Sequence, residues 1–460
     1  MDRGSIIVVD VGKTLSKVSL WSSAGRRLAC ETRANAPVDA DGYRALDLAA
    51  TGEWIVETLA GFAAHPVEAP VEAIVPVAHG AALVGLRADG GLAFAPLDYE
   101  WPIPLAILAE YRAQRDPFAV TGSPALPGGL NLGSQLHYLD GRGLLDGATL
   151  LPLAQYWAWL LSGEARSEVT SLGCHSDLWA PEAGDYSPLA RRRGWAERFA
   201  PLARAGEAVG TLRPELARRT GLSPRVRVHA GLHDSNAALL AARGFPEIAG
   251  REATVLSTGT WFIAMRSPQE PVDTALLPED RDCLVNVDAF GRAVPSARFM
   301  GGRELELLGA RIDHTGTAGL ADVLHAGAMI LPNQVPDCGP FPRAVGRWID
   351  RPADPADQAA AAALYAALMA DASLGLIGAK ERLLVEGRFA RSEIFVRALA
   401  TLRPGTRVFA AADEADVSFG ALRLLLPDLA PERALLPVEP LDRDLAAYRA
   451  EWLDDIEVFL

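Results

Sequence analysis

The chain has 460 residues, 50% of them hydrophobic, and a formal net charge of -14 at pH 7. At roughly 100–200 residues per domain, this length predicts two large domains, each with its own core. Because an acidic surface repels phosphate backbones, the charge excludes nucleic acid and anionic membranes as favourable partners.

The apolar runs and turn residues predict an α/β chain in which strands alternate with helices. In chain order, strands are predicted at 5–10, 17–21, 71–77, 225–230, 253–257, 261–265, 283–287 and 407–411. Helices are predicted at 43–64, 151–162, 235–243, 302–310, 357–384 and 415–426. We place the boundary between the two domains near residue 240, before the loop-rich stretch 266–282.

A unit of strand, glycine turn and strand occurs twice, at residues 5–21 and again at 253–265. Two similar units about half a chain apart suggest a duplicated fold with one copy in each domain. A glycine turn after a strand exposes successive N–H groups to an anion, so both turns are candidate phosphate sites. Their candidate residues are Asp10, Gly12, Lys13, Thr14, Thr258, Gly259 and Thr260.

The placement of lysine supports a phosphate site at the first turn. Among 44 basic residues, the lysines are Lys13, Lys17 and Lys380, and two of these lie in or beside that turn. Lysine is a compact point charge and arginine a bulky planar fork, so a tight turn that faces phosphate accepts lysine more readily. The alternative interpretation is a chance placement on a surface hairpin.

Two aspartates that end apolar strands carry the predicted chemistry. Asp10 is placed to hold Mg²⁺ through water, and Asp234 is placed to accept the proton of an attacking hydroxyl. Asp234 could also cap the helix that follows it, and the two roles are compatible. His79 and His233 could bind sugar hydroxyls, although a histidine at a strand end is often a satisfied structural residue.

On three segments the chain resembles the FGGY carbohydrate kinase family of the actin-like ATPase-domain superfamily. They are Asp10-Val-Gly-Lys-Thr14, Gly231-Leu-His-Asp-Ser235 and Leu256-Ser-Thr-Gly-Thr-Trp261. The His-Asp pair and the Gly-Thr-Trp run look closest to the rhamnulokinase and fuculokinase branch. The resemblance implies two actin-like (ribonuclease H-like) domains with a central cleft. Residues 1–240 would form the sugar-binding and catalytic domain, and residues 241–460 the nucleotide-binding domain.

The resemblance also implies roles for individual residues. Asp234 would be the general base, Asp10 and Asp234 would hold Mg²⁺, and ATP would bind between the domains. The implied sugar site is His79, Gly80, His233, Asp234 and Arg298. The implied nucleotide and phosphate site is Asp10, Gly12, Lys13, Thr14, Lys17, Thr258, Gly259, Thr260, Gly387 and Arg388. The family's adenine loop has two or three consecutive glycines and this chain has Gly387 alone, which leaves the nucleotide preference open.

The cysteines and the N-terminus indicate a cytoplasmic protein. Cys30, Cys174, Cys283 and Cys338 form no Cys-x-x-Cys clip, and we expect reduced thiols. The N-terminus lacks the basic segment and apolar core of a secretory signal. No apolar run approaches the length of a bilayer span.

The resulting expectation is a cytoplasmic, ATP- and Mg²⁺-dependent kinase of a small sugar, a ketose of the rhamnulose or fuculose type. A kinase of another sugar, an alditol or a sugar acid on the same fold is one alternative. A catalytically quiet regulator that binds sugar or nucleotide is another, and the reduced adenine loop favours it. The expected partners are the sugar and ATP, and a homodimer is left open.

Overall fold

The computed structural model describes residues 4–65, 69–312, 316–411 and 416–458. The chain divides into two compact units. The first consists of Met1–Gly244, Val285–Ala293 and Asp416–Ala430, and the second of Phe245–Leu284, Val294–Ala415 and Pro431–Leu460. Both units contain helices packed on a sheet, which confirms the predicted α/β class.

The described strands are numbered here in chain order. They are β1 (Ser5–Val11), β2 (Leu15–Trp21), β3 (Arg27–Ala34), β4 (Pro37–Ala40), β5 (Tyr43–Leu46), β6 (Val71–Ala78), β7 (Leu83–Leu86), β8 (Thr149–Pro152), β9 (Trp179–Ala180), β10 (Asp185–Tyr186), β11 (Ala208–Thr211), β12 (Arg227–His229), β13 (Leu232–His233), β14 (Ala253–Thr258), β15 (Phe262–Ser267), β16 (Cys283–Val287), β17 (Ala293–Phe299), β18 (Met329–Leu331), β19 (Arg347–Ile349), β20 (Arg382–Gly387), β21 (Arg407–Ala411) and β22 (Leu436–Pro437).

The described helices are numbered in the same way. They are α1 (Leu48–Ala63), α2 (Leu105–Arg112), α3 (Phe118–Thr121), α4 (Leu132–Gly141), α5 (Leu153–Ser162), α6 (Val169–Leu172), α7 (Pro188–Arg192), α8 (Pro214–Thr220), α9 (Asp234–Ala242), α10 (Gly301–Leu307), α11 (Leu320–Ala326), α12 (Pro355–Leu376), α13 (Glu393–Leu402), α14 (Val417–Leu425) and α15 (Ala446–Val458). Short 3-10 helices occur at Ala196–Arg198, Thr274–Leu276, Glu279–Arg281 and Arg388–Arg391.

The first unit is built on a mixed sheet in the order β11-β12-β6-β1-β2-β3, with β13 also paired to β6. β1 is apolar from Ile6 to Val9 because helices cover both faces of the sheet. Ile7 and Val9 face a core shared with α1 and α5, whereas Ile6 and Val8 face a core shared with α9 and α14. The alternating side chains of one strand therefore supply two cores.

Helix α14 reaches the first unit from late in the chain and packs on α9. The two helices lie so close that a Cβ atom added to Gly420 would stand 1.8 Å from the carbonyl oxygen of Ala237. Glycine is therefore required at residue 420 for this contact. Because α9 begins at Asp234, α14 supports the helix that carries the predicted base.

The second unit is built on a sheet in the order β16-β17-β15-β14-β20-β21-β22. β14 pairs antiparallel with β15 and parallel with β20, so that Thr258 lies beside Gly387. The expectation that no apolar run approaches the length of a bilayer span was wrong, because helix α12 is long and apolar enough to cross a membrane; 78% of its most apolar window is, however, buried inside the protein. This burial is typical of a core helix, and α12 packs against α13 and α11.

Two predicted helices were wrong at one end. The helix predicted at 43–64 begins at Leu48, because Tyr43–Leu46 pairs as a strand with β4 and Asp47 caps the helix by accepting from the N–H of Ala50. The helix predicted at 357–384 ends at Leu376. Gly378 then takes a left-handed φ of 64°, and the run Arg382–Gly387 becomes a strand between β14 and β21.

Candidate active site

The predicted catalytic side chains of the first unit meet at one edge of its sheet. β1 and β13 both run parallel to β6, and Asp10, His79 and Asp234 lie at or just beyond the ends of these three strands. Parallel neighbours end at the same edge, so the three residues are brought together although they are far apart in sequence. The sheet thus assembles the cluster that the strand-end motifs predicted.

Asp10 lies beside a lysine and two further carboxylates. Lys17 Nζ is 3.6 Å from Asp10 Oδ2 and 3.2 Å from Asp416 Oδ1. Burial raises the pKa of Asp10 to about 7, Lys17 opposes this rise, and the carboxylates of Asp234 and Asp416 add to it. A cation bound at Asp10 would relieve this concentration of negative charge.

Asp234 is the first residue of α9, and its side chain is 29% exposed. Its Oδ1 accepts from the backbone N–H of Ser235 at 2.6 Å and lies 3.1 Å from His233 Nε2. The N-cap residue His233 makes no side-chain capping bond, so the bond from the N–H of Ser235 to Asp234 Oδ1 is the side-chain contact to the first turn of α9. Within the described residues no partner is assigned to Oδ2. This oxygen is available to an acceptor hydroxyl.

His233 is a buried, closely packed neighbour of Asp234. Its Nε2 also lies 3.7 Å from Cys174 Sγ, and its backbone N–H donates to Thr170 Oγ1 at 2.9 Å. A Cβ atom at Gly80 would stand 2.7 Å from the same Nε2, so residue 80 has to be glycine for the ring to keep this position. Burial lowers the pKa of His233 and Asp234 partly offsets this, which favours a neutral imidazole.

His79 and Lys13 lie against the segment 98–100, which the sequence did not single out. The His79 ring meets the Tyr99 ring edge-on at 5.8 Å, and the Lys13 ammonium lies 5.4 Å from the centre of the same ring. Lys13 Nζ is 2.8 Å from Asp98 Oδ1 and 3.4 Å from Glu100 Oε2. In this structure Lys13 is therefore held by carboxylates, whereas Lys17 lies beside Asp10.

Tyr99 belongs to the same electrostatic environment as the predicted base. Burial, together with the carboxylates of Glu100, Asp98 and Asp234, raises the pKa of Tyr99 to about 12. Tyr99 thus remains a neutral phenol across the physiological range. Its position could have been suspected from the aromatic residues between acidic ones at 98–101, but no periodicity marks this loop.

The first glycine turn is fixed by Asn35, on the segment that follows β3. The Asn35 side chain donates to the carbonyl of Gly12 at 2.8 Å and accepts from Ser16 Oγ at 2.9 Å. Its backbone N–H donates to the carbonyl of Thr14 at 2.8 Å. Thr14 itself is exposed. The N–H of Gly12 also donates to the carbonyl of Leu15 at 3.0 Å. Both ends of the turn are therefore held.

The second glycine turn is fixed within the second unit. The buried Thr258 hydroxyl donates to the carbonyl of Glu386 at 2.6 Å and accepts from the N–H of Phe389 at 3.1 Å. The Thr258 hydroxyl therefore holds the turn against the segment that contains Gly387 and Arg388. Both of these hydrogen bonds are made to the protein itself, so this hydroxyl is not free to bind a ligand. The exposed Thr260 remains accessible. A Cβ atom at Gly302 would stand 2.1 Å from the carbonyl oxygen of Gly259, so α10 begins directly against this turn.

The remaining two predicted site residues also lie in the second unit. Arg388 is exposed, and its guanidinium lies 5.2 Å from the centre of the Phe389 ring. Arg298, expected at the sugar site, is bound to Asp282 at 3.1 Å and lies 5.1 Å from the centre of the Trp261 ring. Trp261 is half-buried and braces the turn that precedes it. The pairing of Thr258 with Gly387 thus places the turn at Gly259 and Thr260 next to Gly387 and Arg388.

The first unit contains carboxylates that could hold Mg²⁺. Among the described residues, no group of three or more His, Cys, Asp or Glu side chains is arranged to hold a metal ion by itself. Mg²⁺, however, is usually bound through one or two carboxylates together with substrate phosphates and water. Asp10 and Asp234 offer the hard oxygen ligands that this ion prefers, and the carboxylate of Asp234 contributes to the raised pKa of Asp10.

Comparisons with known proteins find similarity to carbohydrate kinases along the whole chain. Residues 250–433 match the C-terminal domain of the FGGY carbohydrate kinases. A carbohydrate kinase of known structure from Novosphingobium aromaticivorans is 58% identical, with a TM-score of 0.95 over 100% of this chain and 99% of that one. A xylulose kinase from Rhodospirillum rubrum shares the fold, with a TM-score of 0.78 and 16% identity over 99% and 98% of the two chains.

A more local similarity links the chain to L-fuculokinases. The enzyme from Salmonella typhi is 36% identical over 140 residues, and that of Escherichia coli (strain K12) is 35% identical over 150 residues. The matched stretches span only 28% and 30% of these relatives.

Proposed function

We propose that this chain, which belongs to the FGGY carbohydrate kinase family, transfers the γ-phosphate of ATP to a hydroxyl group of a small sugar. FGGY carbohydrate kinases are phosphotransferases with an alcohol acceptor. The observation that carries the proposal is Asp234, whose partly exposed carboxylate keeps one oxygen unengaged beside His233 and Asp10.

In this mechanism Asp234 accepts the proton of the acceptor hydroxyl as that oxygen attacks the γ-phosphorus. His233 orients the carboxylate through its contact with Oδ1, which leaves Oδ2 for the hydroxyl. Because burial keeps the imidazole neutral, His233 also places no competing positive charge beside the base. The acceptor would lie against His79 and Tyr99, whose rings form one wall beside Asp234.

The phosphate contacts are proposed for both glycine turns. Lys17, together with the N–H groups of the Gly12 turn, would stabilise the transferring phosphoryl group, and Gly259 and Thr260 would bind phosphate from the second unit. Gly387 and Arg388 would contact the nucleotide base. Mg²⁺, when bound, would offset the charge of the phosphate oxygens, and Asp10 and Asp234 are the residues that would hold it.

The acceptor is proposed to be a ketose of the fuculose type, because the local similarity to L-fuculokinases is the most specific one. The ammonium of Lys13 is paired with Asp98 and Glu100, so the wall of the acceptor site carries no unpaired cation there. A neutral sugar fits this wall better than a sugar acid, whose carboxylate would have to compete with these two side chains.

The test is an ADP-release assay with MgATP and five acceptors: L-fuculose, L-rhamnulose, D-xylulose, glycerol and gluconate. We expect turnover with one acceptor, and Asp234→Asn should lower kcat by about 100- to 10,000-fold. Asp89→Asn is the matched control, because Asp89 is an exposed aspartate of the same unit. Turnover in Asp234→Asn close to that of wild type would refute the role of the base. Nucleotide binding without turnover on any acceptor would support the regulator instead.

A further inference from the structure

A chain of buried hydrogen bonds runs from Glu168 to the residue before the predicted base. Glu168 and Thr170 are both 0% exposed. Glu168 Oε2 accepts from the Thr170 hydroxyl at 2.5 Å and from the Thr170 N–H at 2.9 Å. The same hydroxyl accepts from the backbone N–H of His233 at 2.9 Å. Two residues outside every predicted motif are thus bonded to the backbone of the catalytic segment.

The hydrogen bond between Thr170 and His233 lies one residue before Asp234, so it can fix the orientation of the Asp234 side chain. His233 closes the short strand β13 and is the last residue before α9. Its peptide N–H is held by Thr170, and its ring is confined by Gly80 and Cys174. With both the backbone and the ring of His233 fixed, the imidazole can hold Asp234 Oδ1 in one direction.

Capping of α6 explains only part of this arrangement. Glu168 is the N-cap of this four-residue helix, and the cap needs only its bond to the Thr170 N–H. The bond between the Thr170 hydroxyl and His233 adds nothing to the cap. Asp, Asn or Ser would cap a helix at a lower cost than a fully buried glutamate, whose Oε1 has no hydrogen-bond partner in the described part of the chain.

We propose that Glu168 and Thr170 are positioning residues that hold the His233–Asp234 segment in the orientation required for proton transfer. Glu168 fixes the rotamer of the Thr170 hydroxyl, and that hydroxyl fixes the peptide of His233. The proposal rests on the proposed function, since it concerns the same base. It adds two residues to the machinery of the reaction, neither of which touches the substrate.

The test compares Thr170→Val, which keeps the shape of the side chain but removes the hydroxyl, with Thr170→Ser, which keeps the hydroxyl. A small displacement of a catalytic group costs about 100-fold in rate. We therefore expect Thr170→Val to lower kcat by about 10- to 100-fold, with the KM for MgATP within about twofold of wild type. Thr170→Ser should restore kcat to within about threefold of wild type.

Thr58→Val is the matched control, because Thr58 is also buried in the first unit and its hydroxyl donates to the carbonyl of Trp54. It should keep kcat at the wild-type value even if its melting temperature falls as much as that of Thr170→Val. Amide hydrogen exchange of the unliganded proteins adds a measurement that does not depend on catalytic turnover. Peptides that contain His233 and Asp234 should exchange faster in Thr170→Val and not in Thr58→Val.

The two proposals fail in different ways. A wild-type protein without acceptor-dependent turnover, or an active Asp234→Asn variant, refutes the proposed function and the positioning role with it. If wild type is active and Asp234→Asn is inactive, equal kcat values for wild type and Thr170→Val refute the positioning role alone. The same conclusion follows if Thr170→Ser is as impaired as Thr170→Val, because the hydroxyl would then not be the group that matters.

Discussion

The buried carboxyl of Glu168 makes the stability of the protein depend on pH in a defined direction. Burial raises the pKa of Glu168 to about 8 from its ordinary value of 4.5, although the hydrogen bonds from the hydroxyl and the N–H of Thr170 oppose this rise. The folded chain therefore keeps the proton over a pH range in which the unfolded chain has lost it. The stability that comes with this proton is complete below pH 4.5 and is lost as the pH rises towards 8.

The magnitude follows from the two pKa values. Between pH 5 and pH 8, proton linkage at this one group removes about 3 kcal/mol of the free energy of unfolding. Glu168→Gln cannot ionise, so its stability relative to wild type should rise by the same amount over this range. For a chain of this length the entropy of unfolding is on the order of 1 kcal/mol per degree, so the difference in melting temperature should change by about 3 °C.

Calorimetric melting of wild type and Glu168→Gln at several pH values between 5 and 8 is the assay. Asp10 and Glu304, whose pKa values are raised to about 7, also give the wild-type curve a slope, and only the difference between the two proteins isolates Glu168. Glu57→Gln is the control, since Glu57 is exposed on α1 and should melt in parallel with wild type. Parallel curves for Glu168→Gln and wild type would show that the buried carboxyl does not keep its proton.

Two further predictions concern the site. Gly80→Ala would place a Cβ atom 2.7 Å from His233 Nε2 and should lower kcat at least about tenfold, whereas Gly61→Ala in α1, where a Cβ atom meets nothing within 4 Å, should not. An active Gly80→Ala enzyme would show that the ring of His233 can move freely. Lys13→Met should raise the KM for the acceptor about tenfold and leave that for MgATP within about twofold, because Lys13 is held by Asp98 and Glu100. A rise in the KM for MgATP alone would show that Lys13 contacts the phosphates, as the sequence predicts, and not the acceptor.

The sequence predicts the parts of the site that depend on strand order. Asp10 and Asp234 end apolar strands, and the parallel pairing of β1 and β13 with β6 is enough to bring them together. It could not predict the partners that arrive through irregular segments. Tyr99 lies in a loop and Thr170 in a four-residue helix, and neither element has a hydrophobic period that would reveal its packing.

Errors at element ends have the same origin. The run Arg382–Gly387 continues the apolar character of α12, and its pairing with β14 and β21 decides that it is a strand. The partner strand β14 lies more than a hundred positions earlier in the chain, and a local sequence pattern carries no information about such a distant partner. The cap at Asp47 is local, but the strand before it is fixed by pairing with β4.

The contact between α14 and α9 has a consequence for biosynthesis. The segment Asp416–Ala430 supplies Ala421, Leu422 and Leu426 to the core that Ile6 and Val8 begin. A ribosome therefore releases almost the entire polypeptide before the first unit can close its core. In a fragment of residues 1–244 expressed alone, the face of α9 that packs on α14 would be exposed to solvent. Because exposed apolar surface promotes aggregation, such a fragment should aggregate or require a chaperone. Ile6 and Val8 are thus translated long before the core to which they belong is complete.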